Sequence, residues 1–185
     1  MGFNSEMNIV DKLVLLKEHK EKALKIIDYL DNKISFTNKQ VSIFGQSGTG
    51  KSEICYHIKE FYCDRGKCTK ILHLDDYYTS DPHNRARIRL ETQTIGIDEI
   101  DWGKLSRHTQ GHFNSRYHLI LIDGLFAANA IGNSFNIMIE GNLSDTEAFR
   151  KLRGKENPDC TFRQHVLKCE RADVESLRDK ADYNV

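Results

Sequence analysis

An eight-residue segment constrains the fold of this chain most strongly. It reads G-Q-S-G-T-G-K-S from Gly45 to Ser52, fits the pattern GxxxxGK[ST] at every fixed position, and follows the apolar run 41–44. Glycines at this spacing let successive backbone N–H groups turn toward one anion, and the helix that follows points its positive end at the same anion. The segment therefore predicts a phosphate-binding loop between a strand and a helix. A glycine-rich turn with a chance Lys-Ser pair is the alternative.

Every residue of this loop is a candidate nucleotide ligand: Gly45, Gln46, Ser47, Gly48, Thr49, Gly50, Lys51 and Ser52. We expect the Lys51 ammonium to contact the β- and γ-phosphates, where it would also serve catalysis. The Ser52 hydroxyl is expected to occupy one position on a Mg²⁺ ion.

The composition restricts the classes of protein to which the chain can belong. Its 185 residues, 39% of them hydrophobic, predict a single domain over 1–185 with one core. The 27 basic and 27 acidic residues cancel, which argues against nucleic-acid and membrane partners. Because no membrane-length apolar stretch and no signal-peptide layout are seen, we expect a soluble, cytoplasmic protein. Five cysteines without a CxxC pair or zinc spacing favour reduced thiols.

Apolar periodicity predicts an amphipathic helix from Glu6 to about Asn32, within an N-terminal extension 1–35 that precedes a core over 41–185. Its apolar face could pack against the sheet or against a partner subunit in a homo-oligomer, or it could dock a regulatory partner. A connector then leads into the strand that begins at Val41.

The core alternates strands and helices, which predicts a mainly parallel sheet in a three-layer α/β sandwich of the P-loop NTPase type. Strands are predicted at 41–44, 70–74, 117–122, 135–139 and 182–185. Helices are predicted at 53–64, 98–107, 144–153 and 161–180. The segment 75–97 is predicted to be a long polar loop, and Pro82 and Pro158 are both predicted to lie in loops.

Two acidic residues stand where predicted strands end. The run 119–122 closes on Asp123, which is typical of a carboxylate that binds magnesium below a phosphate loop, although many buried strands end in Asp as a simple loop residue. Asp75 follows the next predicted strand and would lie beside the γ-phosphate, where it could accept the proton of an attacking hydroxyl. Asp76 is the alternative base, or a helix cap or solvated neighbour.

Basic residues form two further candidate groups. Arg150 and Arg153 share one helix face in a predicted lid over 144–160, where they could neutralise charge during phosphoryl transfer or could form a solvated basic face. Three arginines at positions 85, 87 and 89 could bind an anionic group of the substrate or could simply be exposed. His73 and His165 are predicted to be packing or capping residues.

Together these segments resemble the uridine kinase and phosphoribulokinase group of P-loop kinases, and the likeness runs from Val41 to Val185. Besides the loop, the matching pieces are 74–78 (L-D-D-Y-Y, similar to Asp-Ser-Phe-Tyr), 97–102 (I-D-E-I-D-W, similar to Pro-Asp-Ala-Phe-Asp-Trp), 121–125 (L-I-D-G-L, similar to Phe-Glu-Gly-Ile), the two lid arginines, and 181–183.

The resemblance implies an ATP- and Mg²⁺-dependent kinase that phosphorylates a hydroxyl of a small molecule. It implies Asp75 as base, Tyr78 near the acceptor, and Arg150 and Arg153 as lid residues. Asp76, Tyr78, Arg85 and Arg89 are accordingly our candidate acceptor-binding residues, and Ser52 and Asp123 our candidate metal ligands.

The sequence also departs from that family. Thr94-Ile95-Gly96-Ile97 replaces the Asp-His-Pro step with which uridine kinases grip ribose hydroxyls, so a nucleoside, a sugar and a sugar phosphate all stay open as acceptor. The sequence ends at Val185, ahead of the family's adenine-contacting loop, which predicts loose discrimination among nucleoside triphosphates. A nucleotide-binding switch protein with little turnover is the main alternative, and an ATPase that acts on a macromolecule is another.

Overall fold

A computed structural model describes residues 13–33, 39–92, 96–154 and 161–185. The helices are α1 (Lys17–Lys33), α2 (Lys51–Cys63), α3 (Pro82–Thr92), α4 (Trp102–Asn114), α5 (Leu143–Leu152) and α6 (Thr161–Ser176). The strands are β1 (Lys39–Gly45), β2 (Thr69–His73), β3 (Leu119–Asp123), β4 (Phe135–Ile139) and β5 (Tyr183–Asn184). Short 3-10 turns cover Leu74–Tyr77, Ile97–Glu99, Ala127–Asn129 and Arg178–Lys180.

The five strands form one sheet in the order β2-β3-β1-β4-β5, and every neighbouring pair is parallel. The predicted parallel α/β architecture is therefore confirmed. The phosphate-loop strand β1 is central, and Ile43 and His73 both stand in register with Asp123 at the end of β3. Because parallel strands end at the same edge, the residues that follow β1, β2 and β3 meet there.

Each face of the sheet has its own hydrophobic core, which explains why the strands are apolar on both sides. In β3, Ile120 and Ile122 join the cluster that contains residues of α4 and α6. Leu119 and Leu121 point to the opposite cluster, where α1 and α2 pack. The buried face of α1, which includes Ala23, Ile26, Ile27 and Leu30, is thus covered by the chain's own α2 and sheet.

Four element predictions need correction. The segment predicted as a long polar loop contains α3, because Asp81 accepts a hydrogen bond from the backbone N–H of Asn84 (2.9 Å) and Pro82 occupies the first helical position, where its missing N–H costs nothing. Pro82 is therefore helical, and Pro158 lies outside the described residues.

The other three corrections concern helix ends. The first helix begins at Lys17, since residues 13–16 are not helical, and residues 6–12 of its predicted range lie outside the described part. Helix α4 begins only at Trp102, where the Asp101 side chain accepts from the N–H of Lys104 (2.7 Å), and it continues to Asn114. Helix α6 stops at Ser176 ahead of a 3-10 turn.

The helices and the cysteines bear on membrane spans and disulfide bonds. Among the described residues, none of the helices combines the length and apolarity that a bilayer crossing requires. Cys55, Cys63, Cys68 and Cys169 are free thiols, and Cys160 lies outside the described ranges.

Candidate active site

The loop between β1 and α2 has the geometry of an anion cradle. Gly48 (φ 87°) and Gly50 (φ 79°) both adopt the left-handed conformation that glycine accepts most readily, and Gly50 is the N-cap of α2. A Cβ on Gly48 would lie 2.5 Å from the carbonyl oxygen of Thr146, and one on Gly50 would overlap the ring of His19. The loop is thus packed between α1 and α5, and these positions have no room for a side chain.

Lys51 is held inside this loop. Its ammonium donates to the carbonyl oxygens of Gly45 (3.0 Å) and Gln46 (2.8 Å). Burial lowers the pKa of Lys51, and the carboxylates of Asp123, Glu170 and Asp75 oppose that shift. A half-buried cation with acidic neighbours, whose ammonium donates to two loop carbonyls, is suited to exchange those carbonyls for phosphate oxygens.

Asp123 fits a role as metal ligand. Its side chain is buried; Oδ1 lies 2.9 Å from Nδ1 of His73, and Oδ2 has no hydrogen-bond partner among the described residues. A buried carboxylate oxygen without a partner is unfavourable unless it meets a cation. Ser52 lines the same cavity, so two hard oxygen ligands face one space, which suits Mg²⁺. In the part of the chain that the structure covers, no group of three or more His, Cys, Asp or Glu side chains forms a metal cage.

A cavity of about 250 Å³ brings together three of the four predicted catalytic residues, Lys51, Asp75 and Arg153, and the two candidate metal ligands, Ser52 and Asp123. These residues come from four separate segments of the chain, and the fourth predicted catalytic residue, Arg150, does not line the cavity. Asp75 is exposed and belongs to the 3-10 turn after β2. The cavity therefore combines an anion cradle, a candidate metal ligand and a solvent-facing carboxylate.

Two of the candidate acceptor-binding residues line this cavity as well. Tyr78 and Arg85 stack there, with the guanidinium carbon of Arg85 4.4 Å from the centre of the Tyr78 ring. Arg85 also donates to the carbonyl oxygen of Ser80 (2.6 Å), which holds it on α3 facing the cavity. Arg85 thus adds a positive charge to the lining of the cavity.

The remaining candidates near α3 behave differently. Asp76 does not line this cavity but an adjoining groove of about 810 Å³, which shares Asp75 and Asp123 with the cavity and also contains His73, His108 and His112. Arg87 pairs along its own helix with Asn84 (2.9 Å) and Glu91 (3.4 Å). The side chain of Arg89 lies outside the described part of the structure.

The two lid arginines contact the phosphate loop and its helix. Arg150 is buried and donates to the carbonyl oxygen of Ser47 (2.8 Å). Nε of Arg153 lies 3.6 Å from Oε1 of Glu53, a fully buried residue in the first turn of α2. Neither side chain is part of a solvated basic face, because Arg150 binds the phosphate loop and Arg153 pairs with the first turn of α2.

Several site residues were not predicted from the sequence. Arg163 and Glu170 of α6 line the cavity and pair with each other at 3.5 Å. Their spacing of seven residues on one helix was a usable signal, because it puts opposite charges two turns apart on the same face. His73 was predicted to pack or cap, yet it pairs with Asp123. No sequence signal pointed to His19, whose position against Gly50 depends on tertiary packing.

A second cavity, of about 450 Å³, also borders the phosphate loop. Gly48 and Thr49 line it together with Glu18, His19 and Lys22 of α1 and residues at the start of α5. Lys22 donates to the carbonyl oxygen of Glu140 (2.6 Å), and His19 contacts Phe149 edge-on with ring centres 4.7 Å apart. The N-terminal helix is therefore part of the surroundings of the phosphate loop.

No protein-family model and no curated protein sequence matches this chain. Among solved structures, it is similar to a proposed fructose transport system kinase from Silicibacter sp. TM1040, with a TM-score of 0.62 and 16% identity over 90% of this chain and 98% of that one. It is also similar to the YGR205w protein, with a TM-score of 0.54 and 13% identity over 85% and 87% of the two chains. At these identities the similarity shows the fold alone, which is the parallel α/β fold with a phosphate loop after its central strand described above.

Proposed function

We propose that this chain is a small-molecule kinase that uses ATP and Mg²⁺ to phosphorylate a hydroxyl group. One observation carries the proposal: the exposed carboxylate of Asp75 lines the same 250 Å³ cavity as Lys51, Ser52 and Asp123. A protein that only bound a nucleotide would have no need of a solvent-facing base beside the phosphate cradle. One of the two structural neighbours is described as a fructose transport system kinase, which supports the same class of reaction.

In the proposed reaction, Asp75 accepts the proton of the acceptor hydroxyl while the oxygen of that hydroxyl bonds to the γ-phosphorus. The bond between that phosphorus and the β,γ-bridging oxygen breaks, and ADP leaves. Lys51 stabilises charge on the β- and γ-phosphates, and Arg153 adds a second positive charge from the lid side of the cavity. Mg²⁺, held by Ser52 and Asp123, would neutralise charge on the same phosphates when bound.

The nucleoside part of ATP is proposed to occupy the second cavity, because Gly48 and Thr49 in the middle of the phosphate loop line that cavity. In this arrangement, the N-terminal helix contributes His19 and Lys22 to the nucleotide site. The acceptor would then approach from the side of Tyr78 and Arg85. Asp76 and Arg89 stay candidates for acceptor contacts, and an acceptor that carries a carboxylate or phosphate would suit Arg85.

A transfer assay with γ-labelled ATP tests the proposal. The acceptor panel should contain nucleosides, sugars and sugar phosphates, and fructose belongs in it because one structural neighbour is described as a fructose transport system kinase. Acceptor-dependent labelling that Asp75→Ala abolishes, with ATP-analogue binding retained, supports the proposal. If no acceptor stimulates ADP release while nucleotide changes the binding of a partner protein, the chain is a switch and the proposal is wrong.

A further inference from the structure

We propose that His73 is a positioning residue for the metal site: it holds one oxygen of the Asp123 carboxylate so that the other faces the bound cation. The inference rests on the proposed function, because it assumes that Asp123 is a metal ligand. It adds a residue that acts through Asp123 and does not itself contact the metal or the phosphates.

The sheet register creates this pair. His73 is the last residue of β2, Asp123 is the last residue of β3, and the two stand opposite each other in the parallel ladder. Side chains at paired positions of neighbouring strands point to the same face, so the imidazole and the carboxylate lie side by side. Nδ1 of His73 lies 2.9 Å from Oδ1 of Asp123, the usual length of a hydrogen bond in which the ring N–H donates.

The two oxygens of Asp123 are therefore different. Oδ1 bonds to His73, whereas Oδ2 is buried and has no hydrogen-bond partner within the described ranges. Without His73 the carboxylate could rotate about its χ2 torsion, which is a soft torsion with two-fold character. With one oxygen fixed, the second keeps a constant direction at the carboxyl end of β3, where Asp123 lines the phosphate cavity together with Ser52.

The solvent exposure of the two side chains agrees with these roles, in which His73 orients the carboxylate and Asp123 binds the metal. About 48% of the His73 side chain is exposed but only 6% of the Asp123 side chain, so the histidine reaches the carboxylate from the solvent side. His73 lies in the 810 Å³ groove, which Ser52, Asp75 and Asp123 also line. The groove leaves space around the ring, and a substitution at His73 should not disturb the core.

The experiment measures metal affinity separately from nucleotide affinity. We would first titrate each variant with a β,γ-methylene ATP analogue in EDTA. In a separate titration without EDTA, we would add Mn²⁺ to the protein–analogue complex and follow free Mn²⁺ by electron paramagnetic resonance. Partners of metal ligands typically change metal affinity by about 10- to 100-fold. We therefore expect His73→Ala to weaken Mn²⁺ binding by about 10-fold or more while the analogue affinity in EDTA stays within about twofold of the parent.

Two conservative variants distinguish the hydrogen bond to Asp123 from the mere size of the side chain at position 73. The amide nitrogen of an asparagine can occupy the place of Nδ1, whereas that of a glutamine corresponds to Nε2. His73→Asn should therefore keep Mn²⁺ affinity close to that of the parent, and His73→Gln should resemble His73→Ala. His112→Gln is the matched control, because His112 lines the same groove but its ring contacts Tyr117 (centres 5.3 Å apart), and it should bind Mn²⁺ as the parent does.

The possible outcomes distinguish the inference from the proposed function. If Asp123→Asn loses Mn²⁺ affinity but His73→Ala does not, the positioning role is wrong and the kinase proposal survives. If His73→Asn loses as much affinity as His73→Ala, the hydrogen bond is not what matters and the inference is also wrong. If Asp123→Asn binds Mn²⁺ like the parent, the metal role of Asp123 fails, and the inference fails with it.

Discussion

The contact between the N-terminal helix and the phosphate loop can be tested by placing a methyl group between them. Gly50 is left-handed (φ 79°), and a Cβ there would overlap the His19 ring. That ring cannot easily move, because its side chain is only 3% exposed, it packs edge-on against Phe149, and its Nδ1 accepts from the N–H of Leu16 (3.3 Å). Gly50→Ala therefore carries two costs, one from the backbone and one from the collision.

The two costs can be estimated separately. A non-glycine residue in the left-handed region loses about 1 kcal/mol, and overpacking a tight contact costs about 1–3 kcal/mol more. Gly50→Ala should therefore destabilise the parent by about 2–4 kcal/mol. In a His19→Ala background the collision is gone, and the same substitution should cost only about 1 kcal/mol.

Urea unfolding followed by the fluorescence of Trp102, the single tryptophan, measures these values. Gly66→Ala is the matched control, because Gly66 is also left-handed (φ 73°) but has nothing within 4 Å of its Cβ position. It should cost about 1 kcal/mol in both backgrounds. Equal costs of Gly50→Ala with and without His19 would show that the helix does not press on the loop, and our account of the N-terminal helix would be refuted.

Three further predictions follow from the site. Asp75→Asn should lower the phosphoryl-transfer rate by about 10²- to 10⁴-fold and leave the affinity for the ATP analogue unchanged. If isothermal titration shows that the affinity for the analogue falls as well, Asp75 has a binding role instead. Glu53→Gln should lower the free energy of unfolding in urea by about 3–5 kcal/mol, because it removes the buried carboxylate that lies 3.6 Å from Arg153. Glu91→Gln is the control: this exposed substitution should leave the free energy of unfolding almost unchanged. Burial lowers the pKa of His19 below 6.5, so the unfolded chain binds that proton more readily and stability should fall as pH drops through 6.5. His19→Gln should reduce this pH slope in thermal unfolding, and an unchanged slope would contradict the assignment.

The secondary structure was predicted correctly where a sequence motif determines the backbone conformation of its own residues. The phosphate loop, the strand before it and the helix after it depend on residues adjacent in sequence, and the structure confirms their positions. The alternation of buried strands with helices likewise predicted the parallel sheet, because only crossovers can join parallel strands. In contrast, α3 was missed, since its N-cap and its first-position proline were interpreted as loop residues.

The sequence by itself determined an anion cradle at the end of a central strand, and it named Asp75 and Asp123 as carboxylates at neighbouring strand ends. Only the tertiary structure decided that His73 bonds to Asp123, that Glu53 pairs with Arg153, and that the first helix lies against the loop. The physical reason is the range of the interaction. A turn and its caps are decided within a few residues, whereas these contacts join residues that are 31 to 100 positions apart in the chain, and sheet register and helix packing bring them together.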